Sequence, residues 1–194
     1  AQAGGGEGER GSDACSAVAN ETLSRPHVTG AWEAALVNTV RENDLVLMVE
    51  TGHFAYLWNK MALRLGIKTE FLETDWRRGV VPEKLFDRLQ KDTEKQIKAV
   101  CVVHNETSTG CTSRIEEVRK ALNSANHDAL LMVDTISGLA SMEYKHDEWG
   151  VDITVSGSQK GLMLPPGLSF NAISDKALRI AKTSGKVQAG SVIP

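Results

Sequence analysis

The chain is poor in the residues that staple a fold or carry it across a membrane. It has 3 cysteines in 194 residues, an odd number: Cys15 lies in a polar stretch, Cys101 in a strand-like run and Cys111 just after a loop glycine, so no disulfide framework follows. The longest apolar runs are strand-sized and the N-terminus lacks a basic region followed by an apolar stretch, so neither a membrane span nor a secretory signal is expected, and a soluble cytoplasmic protein fits best. Aromatic residues make up 5%, and 22 basic against 25 acidic residues give a formal net charge of -3. No basic stripe is interleaved with aromatics, which argues against a nucleic-acid partner. His27, His53, His104, His127 and His146 show no metal-ligand spacing, and no metal site is expected.

What remains is enough for one sizeable domain: 41% of the residues are hydrophobic, and the length is short for two domains. Residues 1 to about 25 are rich in glycine and charge and lack apolar periodicity, which predicts disorder. From Thr29 onward, strand-like and helix-like segments alternate. Helices are expected over 30–40, 54–65 and 82–90, from a capping box at Ser113-Arg114-Ile115-Glu116 to near Ala125, and from Ser174 or Asp175 to near Gly185. Phe54, Leu57, Trp58, Met61, Ala62 and Leu65 form the apolar stripe of the second helix. Strands are expected over 45–49, 69–72, 99–103, 130–133, 151–155 and 168–173. The alternation means an α/β fold, and strands that read as nearly continuous apolar runs imply a mostly parallel sheet covered by helices on both faces. Such sheets bind ligands outside the carboxyl ends of their strands, where Glu50-Thr51-Gly52-His53-Phe54, the polar 104–110 segment, Asp134 and Lys160 all fall.

Two of these residues are chemically complementary. Lys160 follows the run Val151-Asp152-Ile153-Thr154-Val155 and precedes the rigid Pro165-Pro166-Gly167 turn; a strongly hydrated ammonium wedged there is costly unless the amine has a task, and Schiff-base formation is the natural one. Asp134 closes the run Ala129-Leu130-Leu131-Met132-Val133. An amine to hold an aldehyde and a carboxylate to keep a pyridine nitrogen protonated are what pyridoxal 5'-phosphate requires. Taken alone, either residue reads more readily as a surface lysine or a turn-opening aspartate; it is the pair, with the segments below, that favours the chemical reading.

The segments His104-Asn105-Glu106-Thr107-Ser108-Thr109-Gly110, Val133-Asp134 and Ser156-Gly157-Ser158-Gln159-Lys160 resemble class V aminotransferases. Within that class, Thr29-Gly30-Ala31-Trp32-Glu33-Ala34-Ala35-Leu36, Glu148-Trp149-Gly150-Val151-Asp152 and Pro165-Pro166-Gly167-Leu168 are most similar to the serine–glyoxylate and alanine–glyoxylate enzymes. The resemblance implies the large domain of a fold type I, pyridoxal-phosphate enzyme over residues 29–184, with 1–28 and 185–194 unmatched. It implies that Lys160 forms the Schiff base and then shuttles a proton, and that Asp134 pairs with the ring nitrogen. Phe54 corresponds to the aromatic on one ring face, Ile136 to the residue on the other, Thr107 and Gln159 to polar groups near the ring hydroxyl, and Thr29 to part of the phosphate cup. Phe54 and Ile136 fit equally as core packing, and Thr107 as a hydroxyl bonding its own backbone.

Two departures accompany the match. His27 and Val28 stand where the family carries a small residue and a glycine before the threonine, although the free amides of Gly30 and Ala31 still favour an anion. The sequence also stops before the family's small C-terminal domain, which supplies the arginine that clamps the substrate carboxylate and residues that reach the neighbouring subunit's phosphate. The implied function is transamination between a small amino acid, serine or alanine, and glyoxylate or a similar 2-oxo acid, with a homodimer expected for the full-length family member. The alternative is a truncated, non-catalytic remnant with weak or no cofactor binding. Cysteine desulfurase is weaker, because that branch places a histidine immediately before its lysine where this chain has Gln159.

Overall fold

The computed structural model describes residues 17–18 and 28–183. His27, the tail from 184 onward and nearly all of the segment expected to be disordered lie outside the described residues. The exception is β1 (Ala17–Val18), an apolar dipeptide that pairs its backbone antiparallel to the edge of the sheet. Then follow α1 (Val28–Thr39), β2 (Leu45–Glu50), α2 (His53–Arg64), β3 (Lys68–Glu73), α3 (Pro82–Lys91), β4 (Ile97–Val103), β5 (Asn105–Glu106), β6 (Cys111–Thr112), α4 (Ile115–Ser124), β7 (Leu130–Asp134), β8 (Ile153–Gly157), β9 (Ser169–Ile173) and α5 (Asp175–Thr183). The sheet runs β1-β9-β8-β7-β4-β2-β3, while β5 and β6 pair only with each other. Strands β8, β7, β4, β2 and β3 are mutually parallel; β9 is antiparallel to β8 because the Pro165-Pro166-Gly167 turn sends the chain straight back.

The unbroken apolar runs split cleanly between two cores, as the period of two along a strand requires. Val46, Met48, Cys101, Leu130 and Met132 pack under α1, α2 and α5. Their alternates Leu47, Val49, Val102, Leu131 and Val133 pack under α3 and α4 on the other face. The central strands are buried on both sides, whereas edge strand β3 carries Lys68, Glu70 and Glu73, charges that discourage pairing with another chain. A buried ion pair ties the second core together: Asp152 Oδ2 accepts from Arg119 at 2.6 Å and from the Leu131 amide at 2.8 Å, and its other oxygen accepts from Ser174.

Two expectations fail locally. Ser113 does not cap α4, whose N-cap is Arg114 with no side-chain cap bond; the Ser113 hydroxyl is buried and accepts instead from the Val80 amide at 3.3 Å. Leu57 is exposed rather than part of the buried stripe of α2, which Trp58, Met61, Ala62 and Leu65 maintain. Ser174 does cap α5, accepting from the Ala177 amide. Among the described residues no helix is long and apolar enough to cross a membrane, and no group of three or more His, Cys, Asp or Glu could hold a metal ion.

Candidate active site

Four adjacent parallel strands, β8, β7, β4 and β2, end on the same edge of the sheet. A pocket opens there. Val103, Asn105 and Thr107 line it from the end of β4, Asp134, Ile136 and Ser137 from the end of β7, Gln159 and Lys160 from the turn after β8, and Phe54 from the first turn of α2. Six sequence-predicted residues therefore meet: Phe54, Thr107, Asp134, Ile136, Gln159 and Lys160. Thr29 is not among the lining residues; it is exposed in the first turn of α1. It stands one helical turn before Trp32, which does reach the site. Val28 is the first residue of α1, so its backbone is helical.

Asp134 is almost fully buried. Its Oδ2 accepts from Trp32 Nε1 at 2.9 Å and its Oδ1 from the Ile136 amide at 2.8 Å. These neutral donors do not offset the loss of water. Burial, reinforced by the charge of Glu106, pushes its carboxyl up to about 7, against the downward pull of the two hydrogen bonds. Among the described residues no basic group forms an ion pair with it. A carboxylate so placed lacks a cation, and a protonated pyridine nitrogen would supply one. The remainder of the pocket fits the same ligand: Phe54 and Ile136 offer apolar faces, Lys160 an amine, and Thr107, Asn105 and Gln159 polar groups.

Lys160 departs from expectation in one respect. Its side chain is exposed, at the rim of the pocket, so the argument that its ammonium is costly to place does not hold. The backbone that carries it is firmly held. Buried Ser158 donates from Oγ to the Pro165 carbonyl at 2.7 Å and accepts from the Leu168 amide at 3.3 Å, closing the loop between β8 and β9. Gly161 then presses against the turn after β7: a Cβ there would lie 2.1 Å from the Leu139 carbonyl oxygen and 2.5 Å from Ser141 Oγ. Gly161→Ala is accordingly expected to shift the Lys160 turn and to cost about 1–3 kcal/mol in denaturant unfolding; a wild-type midpoint would show that this approach is not what holds the loop.

The sequence named neither Trp32 nor Glu106 for a role. The signal for Trp32 was available in kind, because a buried indole N–H seeks an acceptor; its ring also stacks on Trp58, with centroids 5.8 Å apart. Asn105 and Ser137, also unnamed, lock the ends of β4 and β7 together: Asn105 Nδ2 donates to Ser137 Oγ at 2.9 Å, and Ser137 Oγ donates to the Asn105 carbonyl at 2.7 Å.

Comparison with known proteins agrees with this geometry. The description of the family Aminotransferase class-V matches residues 28–191. The chain is 53% identical over 155 residues to a serine–glyoxylate aminotransferase of Hyphomicrobium methylovorum, covering 80% of this chain and 38% of that protein. It is 46% identical over 156 residues to an L-aspartate–glyoxylate aminotransferase of Paracoccus denitrificans, covering 80% and 39%. The crystal structure of an alanine–glyoxylate aminotransferase from Nostoc sp. superposes with a TM-score of 0.77 at 32% identity, covering 89% of this chain and 43% of that one. The chain thus spans about two fifths of the length of the relatives it matches. With the strand order, the pocket at the carboxyl ends of the strands and the match over most of its length, the chain belongs to the class V aminotransferases.

Proposed function

We propose that this chain forms the cofactor-binding part of a pyridoxal-phosphate-dependent aminotransferase that moves an amino group between a small amino acid, serine or alanine, and glyoxylate or a similar 2-oxo acid. The observation that carries the reading is the convergence of Lys160 and Asp134, from the ends of two neighbouring parallel strands, on one pocket. The donor names follow from the relatives called serine–glyoxylate and alanine–glyoxylate aminotransferase. Pyridoxal phosphate, when bound, supplies an electron-accepting ring that stabilises negative charge at the substrate carbon.

The residues of the chain divide the remaining work. Asp134 would hold the proton on the ring nitrogen, since the carboxylate has one oxygen on Trp32 Nε1 and the other on the Ile136 amide and is thereby fixed in orientation. A neighbouring cation would bring its pKa back down, so that it stays ionised in the loaded site. Lys160 Nζ would anchor the cofactor and, once released, carry the proton to and from the substrate carbon; its place at the open rim lets it serve both tasks. Phe54 and Ile136 would exclude water from the ring faces, and Thr107 and Gln159 would bond its polar edge. Thr29 and the first amides of α1 would receive the phosphate at a helix N-terminus, where the aligned peptide dipoles favour an anion by roughly 0.3–1 kcal/mol before specific hydrogen bonds.

The test is a spectrophotometric titration of the chain with pyridoxal phosphate. Saturable growth of visible absorbance in the wild type is expected. Absence of any protein-dependent absorbance, read as the difference from pyridoxal phosphate alone at every cofactor concentration, would refute the reading.

A further inference from the structure

The first turn of α2 has no cap of its own: its N-cap residue, Gly52, has no side chain to offer. A carboxylate from another part of the chain performs that task. Glu106, with no exposed surface, accepts from the Phe54 amide at 3.1 Å and the Ala55 amide at 3.2 Å, both through Oε2. Its Oε1 accepts from the Ser108 amide at 3.1 Å and the Ser108 hydroxyl at 2.6 Å. Ser108 Oγ in turn accepts from the His53 amide at 2.9 Å. The backbone is shaped to admit this contact, because a Cβ on Gly52 would lie 2.4 Å from Glu106 Cγ and 2.6 Å from Ser108 Oγ.

The consequence for the pocket lies in the residues between and beside these groups. Glu106 and Ser108 both turn their side chains to α2, and Thr107 between them lines the pocket; Phe54, whose amide is one of the latched donors, lines it as well. A carboxylate suits this position better than an amide, because two oxygens can meet four donors, whereas glutamine has one oxygen and two hydrogens that would face N–H groups. Glu106 also places a negative charge near Asp134, whose proton affinity it raises. We propose that Glu106 is a positioning residue of this site, whose carboxylate latches the first turn of α2 to the 106–108 segment and so sets Phe54 and Thr107 relative to each other. What the pocket binds rests on the pyridoxal-phosphate reading; the latch itself does not.

The experiment compares wild type, Glu106→Gln and Ser108→Ala as 194-residue chains, with three readouts. Amide hydrogen exchange at Phe54 and Ala55 should accelerate about tenfold in Glu106→Gln relative to amides of α3 and α4, the equivalent of about 1.4 kcal/mol for a lost charge-assisted bond. The midpoint of the Asp134 carboxyl titration, followed by carbon NMR without ligand, should move to lower pH in Glu106→Gln, because a neighbouring negative charge is gone. Affinity for pyridoxal phosphate should fall about tenfold. Ser108→Ala keeps the charge, so it should loosen His53 and weaken the ligand while leaving the Asp134 midpoint in place, and it decides the matter if Glu106→Gln fails to fold. Unchanged exchange at the α2 start together with unchanged affinity in the folded variants would overturn the proposal. Failure of the wild type to bind pyridoxal phosphate would instead refute the functional reading, with exchange and titration still deciding the latch.

Discussion

Asp134→Asn is expected to make the ligand-free chain more stable at pH 8 and less stable at pH 4, while abolishing most of the function proposed for it. The folded carboxyl titrates at about 7 against an ordinary value of 3.8. A raised acid pKa means that the native state holds a proton that the unfolded chain has already lost, so this group's contribution to stability falls as pH rises from about 4 to about 7 and is lost above that. At about 1.4 kcal/mol per pKa unit, bearing the charge at pH 8 costs the fold about 4 kcal/mol. Asparagine removes that cost. It cannot present oxygen to both Trp32 Nε1 and the Ile136 amide, however, and losing one buried hydrogen bond costs about 1–3 kcal/mol. The net effect is a gain of about 1–3 kcal/mol at high pH and a loss at low pH, where the wild-type carboxyl is already protonated. Denaturant unfolding at the two pH values checks both signs; parallel pH profiles for wild type and variant would mean that Asp134 is not desolvated as described. With cofactor present the order reverses, because an amide cannot hold a proton on the ring nitrogen. Binding should remain measurable while turnover, where the complete enzyme is assayed, falls steeply.

Lys160→Ala makes the contrasting case. The side chain is exposed, and its loop is held by Ser158 and by the close approach of Gly161, so folding stability should change by no more than about 0.5 kcal/mol. The visible absorbance formed with pyridoxal phosphate should nevertheless disappear completely, because no other amine reaches the pocket among the residues that line it. A large change in one observable with almost none in the other is the signature of a residue kept for chemistry rather than for packing. Retention of the full absorbance in Lys160→Ala would transfer the role to another lysine.

How much of this was legible in the sequence depends on whether a feature repeats along the chain or closes across it. The alternating elements were readable because parallel strands buried on both faces leave unbroken apolar runs, as Leu130 to Val133 do. Lys160 and Asp134 were readable because a strand end is where a parallel sheet exposes chemistry. Period-two alternation says nothing of contacts between distant segments. The bond from Trp32 to Asp134 spans 102 positions and that from Phe54 to Glu106 spans 52, and neither leaves a pattern in the intervening residues. The misread capping box at Ser113 has the same origin, since the local motif was outcompeted by the distant Val80 amide. The two-residue strands β5 and β6 are too short to show alternation at all. The cost inferred for placing the Lys160 ammonium failed for a related reason: flanking residues report the strand before it but not the openness of the turn in which it sits.

The most direct test of the central claim is covalent. Incubating the chain with pyridoxal phosphate, reducing with borohydride and mapping the labelled peptide by mass spectrometry is expected to find the cofactor on the peptide bearing Lys160, with label suppressed in Lys160→Ala. Preferential label on Lys60, Lys98 or Lys186, or equal labelling of exposed lysines, would contradict the assignment of this pocket as the cofactor site.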